Sequence, residues 1–275
     1  MKTDIMSPQE ISAFQQLIWN YYSFYKRDFP WRYVQDPYYV VVSEIMLQQT
    51  QTYRVEPKFI YFIERFPAWA DLAASSWFDV LIAWQGLGYN SRAKRLHDMA
   101  KRVMQDFDGC VPEKPEILET FSGIGPNTAG SICAFAFNKP TIFAETNIRA
   151  VFIYHFFPGS QKISDKQVLP LVQATLDTKD PRSWYYALMD YGVFLKKQAR
   201  NPTRRSTHYI HQSKFEGSDR QIRSMILKLL LKTEKIHKDE LVASIDREPE
   251  RIMRILQDLC NEKLIVLDEP HFLIK

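Results

Sequence analysis

Apolar residues recur at helical spacing along most of the chain, broken by proline and glycine. Residues 8–27 carry the pattern behind a Ser7-Pro8 start signal, so a first helix is predicted there, ended by Phe29-Pro30-Trp31-Arg32. Pro37 opens a second helix to about Thr52. Helices over 54–66 and 76–85 follow, closed by Pro67 and by Gly86-Leu87-Gly88. Residues 91–107 form an amphipathic helix carrying Arg92, Lys94, Arg95, Lys101 and Arg102, which suits a solvated face and phosphate contact equally. Pro115 to Phe121 and Thr128 to Phe137 are two apolar helical stretches around Gly123-Ile124-Gly125-Pro126, and 164–177 is amphipathic again. The pattern then changes. Helices are predicted over 218–232, 238–245 and 248–262, before 264–267 and 272–274 alternate as a short hairpin around Glu269-Pro270.

The hairpin of residues 115–137 organises the chain. Its glycines permit positive φ and a close backbone approach, and the amides opening the second stretch point outward where the helix dipole favours an anion. Such a turn can hold one phosphate of a nucleic acid without reading a base; an ordinary αα-hairpin is the plainer alternative. Glu44 stands among Val40, Val41, Ile45, Met46 and Leu47. Burial there raises a carboxyl pKa and keeps it partly protonated near neutrality, which a general acid requires. On a solvent-facing side the same residue is only a surface glutamate.

Composition narrows the choice. The chain has 275 residues, room for a sizeable core and two domains, and a net charge of +4. Residues 1–215 hold a net +5 and residues 216–275 a net −1, and Lys196 to Lys214 contains six basic residues and no acidic one. Beside a phosphate-holding hairpin, that run suits phosphate contact. Cys110, Cys133 and Cys260 are too few for a four-cysteine metal or cluster site, and their wide spacing argues against a disulfide framework. With no signal peptide and no long uncharged apolar run, the expectation is a cytoplasmic protein without membrane contact.

The order and spacing of Phe29-Pro30-Trp31-Arg32, Ser43-Glu44-Ile45-Met46-Leu47-Gln48-Gln49-Thr50-Gln51, Gly86-Leu87-Gly88-Tyr89, the glycine hairpin and Ala144-Glu145-Thr146-Asn147-Ile148-Arg149 resemble the helix-hairpin-helix DNA glycosylases. Within that group the chain looks most like adenine glycosylases of the MutY type, which remove adenine mispaired with guanine or 8-oxoguanine. The resemblance covers roughly residues 10–200. It implies an all-α, two-lobed core over 1–215, with DNA across the mouth between the lobes. Glu44 would protonate the leaving base. Glu145 would stabilise the charge developing on the sugar and, with Asn147, hold the attacking water. Trp31, Arg32, Asn127 and Asp190 would line the base pocket. Gln48 and Gln49 would occupy the gap left by the flipped base or bond its partner. Tyr89 would wedge between base pairs, and Gly123, Gly125 and Thr128 would grip backbone. The last 60 residues, 216–275, resemble a winged-helix domain, with Arg247, Arg251 and Arg254 on a third helix suited to DNA reading or to packing.

Several positions depart from the family. Asn127 stands where bifunctional relatives carry the Schiff-base lysine, so base removal without an efficient lyase step is expected. Glu145 replaces an aspartate, and a misplacement on the order of 1 Å costs about 100-fold in such a site. Asp190 replaces a glutamate, Tyr185-Tyr186 an Asn-Gln pair, and Asn90 a second tyrosine. The four cysteines of the family's iron-sulfur cluster are missing, so no cofactor is expected and no metal site; the resemblance allows a monovalent cation between hairpin carbonyls and a phosphate. The domain after residue 215 does not resemble the nudix-like domain that senses 8-oxoguanine. The expected partner is double-stranded DNA with a mismatch or damaged base, bound by a monomer. A glycosylase of the same fold acting on another base, and a non-catalytic DNA-binding derivative, are the competing readings.

Overall fold

The computed structural model describes residues 6–198, 201–211 and 214–274. The first half contains α1 (Pro8–Tyr25), a 3-10 turn (Pro30–Arg32), α2 (Pro37–Leu47), α3 (Thr52–Arg65), α4 (Trp69–Ala74), α5 (Trp77–Trp84) and α6 (Ser91–Asp106). Then come α7 (Pro115–Leu118), α8 (Pro126–Phe137), α9 (Thr146–Phe156), α10 (Asp165–Thr175), α11 (Pro181–Gln198) and a second 3-10 turn (Pro202–Arg205). The chain ends with α12 (Asp219–Thr233), β1 (Lys235–His237), α13 (Lys238–Ala243), α14 (Pro249–Asn261), β2 (Val266–Asp268) and β3 (His271–Leu273). The fold is mostly helical with a small α+β part at its end, as expected. Ala199, Arg200, Gln212 and Ser213 of the basic run lie outside the described residues.

Two compact units form, Met1–Glu44 with Pro112–His211, and Ile45–Val111 with Gln212–Lys275. In the first unit α11 packs along α9 and α1, and the core holds Ile18, Phe135, Phe143, Phe152, Trp184 and Tyr185. The Tyr185 hydroxyl donates to the Thr141 carbonyl at 2.6 Å, so even this deep phenol has a partner. Sequence periodicity does not reveal α9, because Ile148, Ala150, Val151, Phe152 and Ile153 are all buried and leave little polar face to set a period.

In the second unit α4 lies on α6, α3 and α5 pack together, and Phe59, Phe62, Leu72, Trp84 and Leu96 are fully buried. The C-terminal segment joins this core: Trp77 Nε1 donates to the Leu264 carbonyl at 2.8 Å. Strands β1, β3 and β2 form an antiparallel sheet in that order, with Phe272 opposite both Ile236 and Leu267. The succession helix, strand, helix, helix, strand, strand is that of a winged helix. The three-residue strand β1 and the six-residue helix α4 are too short for a periodic signal and were not among the expected elements.

Candidate active site

Helix α2 carries the first carboxyl group. Asp36 opens the helix, its side chain accepting from the Tyr38 amide at 2.8 Å, while Tyr38, Val40, Val41, Val42, Ile45 and Met46 are buried. Glu44 keeps partial solvent access on this otherwise apolar helix. Its Oε2 accepts from the hydroxyl of Ser131 on α8. Loss of hydration pushes the Glu44 pKa up to about 7; the Ser131 bond opposes this, and the neighbouring Glu145 carboxylate adds to it. Near neutrality the group therefore holds a proton about half of the time, and can deliver it.

The second carboxyl group is built into the start of α9. Glu145 is the N-cap: Oε1 accepts from the amides of Asn147 at 2.7 Å and Ile148 at 3.1 Å, and Oε2 from Asn147 Nδ2 at 3.2 Å. The side chain thus folds back onto its own helix, and the amides set where its charge sits. Burial raises the Glu145 pKa, while Lys196 and these amides pull it down. Burial in turn lowers the Lys196 pKa, against the pull of Glu145. Asn147 Oδ1 is buried and has no hydrogen-bond partner among the described residues. An unpaired acceptor beside a carboxylate suits a donor such as water.

Two contacts hold this turn in place. A Cβ on Gly192 would lie 2.2 Å from the Asn147 carbonyl oxygen, so α11 can press against α9 there only without a side chain. Asn127, expected in the base pocket, accepts from the Ala144 amide at 3.0 Å and so ties α8 to the residue before Glu145.

Asp190 is also placed differently from a free base contact. It is 1% exposed, and its two oxygens accept from the Arg27 amide (2.8 Å), Arg27 Nε (2.6 Å), Arg32 Nη1 (2.8 Å) and Arg32 Nη2 (2.7 Å). Four donors fill its acceptor positions, so Asp190 buttresses Arg32 in this arrangement. The Arg32 guanidinium lies 4.5 Å above the Tyr186 ring, which stacks on Phe135 at 4.4 Å and 3°. Trp31 is buried and stacks on Phe29 at 4.8 Å and 7°. Tyr186 also feels the Glu44 charge, which adds to the burial that raises its pKa. Glu44, Ser131, Glu145, Asn147, Tyr186 and Lys196 thus gather in the first unit. Ser131 and Lys196 had no place in the sequence-based site; only the basic run hinted at Lys196.

In the hairpin, α7 stops at Leu118 and α8 begins at Pro126 behind an exposed Gly125 N-cap. Gly123 has φ +86°, and a Cβ on Gly125 would meet nothing within 4 Å, so the turn presents open backbone. Thr128 follows in the first turn of α8.

Gln48, Gln49 and Tyr89 belong to the second unit. Helix α2 ends before them, because Gln49 turns into the left-handed region at φ +54°; Tyr89 does the same at +48°. Arg92 underlies both turns. It is 5% exposed and donates to the carbonyls of Ile45 (2.8 Å), Met46 (2.9 Å), Gln48 (2.5 Å) and Gly88 (3.2 Å) and to Thr50 Oγ1 (2.9 Å). Burial lowers its pKa to about 10, which still leaves it charged near neutrality. Of the basic α6 residues, Arg92 is therefore an internal cap of α2 and not part of a solvated face.

Three cysteines cannot supply four thiolates, and here Cys133 lies in the first unit and Cys110 and Cys260 in the second, each unpaired. A four-cysteine cluster does not fit this chain. No helix among the described residues is long and apolar enough to cross a membrane.

Residues 42–174 match the HhH-GPD superfamily of base excision DNA repair proteins. The fold agrees: a solved thermostable thymine-DNA glycosylase aligns with a TM-score of 0.60 at 22% identity, over 67% of this chain and 86% of that one. The adenine DNA glycosylase of Mycolicibacterium smegmatis is 34% identical over 239 residues, which is 80% of this chain and 80% of the relative. That of Buchnera aphidicola is 35% identical over 188 residues, covering 66% of this chain and 53% of the relative. The chain belongs to the adenine DNA glycosylase family of this superfamily. It spans about half the length of the Buchnera relative it matches.

Proposed function

We propose that the chain is a monofunctional DNA glycosylase that hydrolyses the N-glycosidic bond of an adenine flipped out of a mismatch with guanine or 8-oxoguanine. The arrangement of Glu44 and Glu145 carries this reading. One carboxyl group is held partly protonated on an apolar helix, and a second is pinned by helix amides beside an unpaired acceptor. Glu44 gives its proton to a ring nitrogen of the adenine as the bond from C1′ to the base breaks and its electron pair leaves with the base. The Glu145 carboxylate stabilises the cationic sugar. Water held by Glu145 and Asn147 Oδ1 adds its oxygen to C1′ and loses a proton to a carboxylate. Free adenine and an abasic site result. Asn127 has no amine for a Schiff base, so strand cleavage follows only on alkali.

The hairpin amides and the open backbone at Gly125 suit a phosphate. The test uses end-labelled duplexes with A:8-oxoguanine, A:G, G:T and 8-oxoguanine:C, treated with and without alkali. Alkali-dependent cleavage of the adenine strand is the expected result. Release of another base instead would keep the enzyme and refute its substrate. Glu44→Gln should retain duplex binding and lose about 10²- to 10⁴-fold in base release.

A further inference from the structure

The second unit holds a cleft of about 660 Å³ between α12 and the turn joining α5 to α6. Among the described residues its walls carry Arg54, Arg220, Arg223 and Lys228, and one carboxylate, Glu262. That carboxylate is engaged by Arg223 at 2.5 Å. Arg54 donates to the Gly86 carbonyl and forms no ion pair among the described residues; Arg220 donates to the Tyr89 hydroxyl at 3.3 Å, and Lys228 is exposed. Tyr89 and Phe215 add aromatic surface. The turn itself contributes backbone: Gly86 and Gly88 have positive φ, and a Cβ on Gly88 would meet nothing within 4 Å.

The third helix of the C-terminal segment is placed differently. Arg251 and Arg254 of α14 both pair with Asp219 at the start of α12, at 2.6 and 2.7 Å. Both arginines thus share one carboxylate of the same domain, and Arg254 remains exposed. Arg220, Arg223 and Lys228 of α12 line the cleft.

We infer that this cleft takes the phosphodiester backbone of the DNA, so that α12 is a nucleic-acid contact of the C-terminal segment. The inference rests on the reading of the chain as a DNA glycosylase. Phosphate is the ligand that matches walls carrying four cations and one carboxylate, and the adjoining aromatic surface suits the sugar or base that comes with it. The 660 Å³ of space is ample for a nucleotide unit.

The experiment is a salt titration of binding by the full chain to a fluorescent, undamaged duplex, which needs no catalysis. Removing one cation that neutralises a phosphate should reduce the slope of log K against log salt by about 0.9. R54A/R220A/K228A should flatten the slope by between about 2 and 3 and weaken binding on the order of 100-fold near 0.1 M salt. The charge-retaining R54K/R220K/K228R should keep most of the slope. A folded triple-alanine protein with an unchanged slope would overturn the inference. So would a charge-retaining variant as impaired as the alanine one, because the effect would then be structural. Failure of the parent protein to release any base would refute the glycosylase reading while leaving this binding test intact.

Discussion

Replacing Ser131 by Ala tests how the proton on Glu44 is controlled. Ser131 is 5% exposed; its hydroxyl donates to Glu44 Oε2 and lies 3.0 Å from the Thr128 carbonyl. A hydroxyl has one proton. It stabilises the ionised carboxylate when it points at Glu44, and it turns to Thr128 when Glu44 is protonated and can donate instead. The serine therefore holds the pKa down against burial, to about 7. A hydrogen bond to a charged group contributes about 1.5–3 kcal/mol, and one pKa unit equals about 1.4 kcal/mol. Because the serine has a second acceptor for its neutral state, the net effect of Ser131→Ala is taken as roughly one unit upward. Single-turnover base release, measured with excess enzyme from about pH 5.5 to 9.5, should then keep its alkaline limb about one unit higher than the parent. Near pH 8 the protonated fraction rises from about one tenth to about one half, so the variant should be about five-fold faster there. Near pH 6 both forms are mostly protonated and the rates should be similar. An unchanged or lowered alkaline midpoint, in a protein with parental melting behaviour, would refute the reasoning.

Lys196→Met removes the cation that favours the Glu145 carboxylate, so the acid limb of the same profile should move to higher pH and the optimum should narrow; an acid limb that stays in place would count against a role for Glu145 in its ionised form. Gly192→Ala places a Cβ 2.2 Å from the Asn147 carbonyl oxygen, and either α9 or α11 must move. It should cost about 3 kcal/mol or more in urea denaturation and lower base release in the fraction that folds. Arg92→Met removes the donors to the Ile45, Met46, Gln48 and Gly88 carbonyls and to Thr50. A loss of about 3–5 kcal/mol is expected by the same measurement, against less than about 1 kcal/mol for a charge on a solvated face.

Much of the helical architecture was legible in the sequence, because a helix half exposed to water writes its own period. Helices α1, α6, α10 and α14 are of this kind, and the hairpin was marked by its glycines and proline. Glu44 stood out as an acid among apolar neighbours, and burial bears out the expected rise in its pKa. A helix enclosed by the core carries no such period, which is why α9 was not predicted although Glu145 and Asn147 at its start were. The departure at Glu145 illustrates the other limit. The sequence shows an added methylene; only the folded turn shows the side chain curling back onto two amides and the Asn147 side chain. For Asn127, Asp190 and Arg92 only the fold supplies the partners: the Ala144 amide, two arginines, and the carbonyls at the end of α2. Ser131 lies 87 positions from Glu44, and Arg27 lies 163 from Asp190. Local pattern records which side of an element avoids water, since that follows from neighbours a few residues away. Which buried polar group meets which partner depends on how distant segments pack, and there the chain's order carries no distance information.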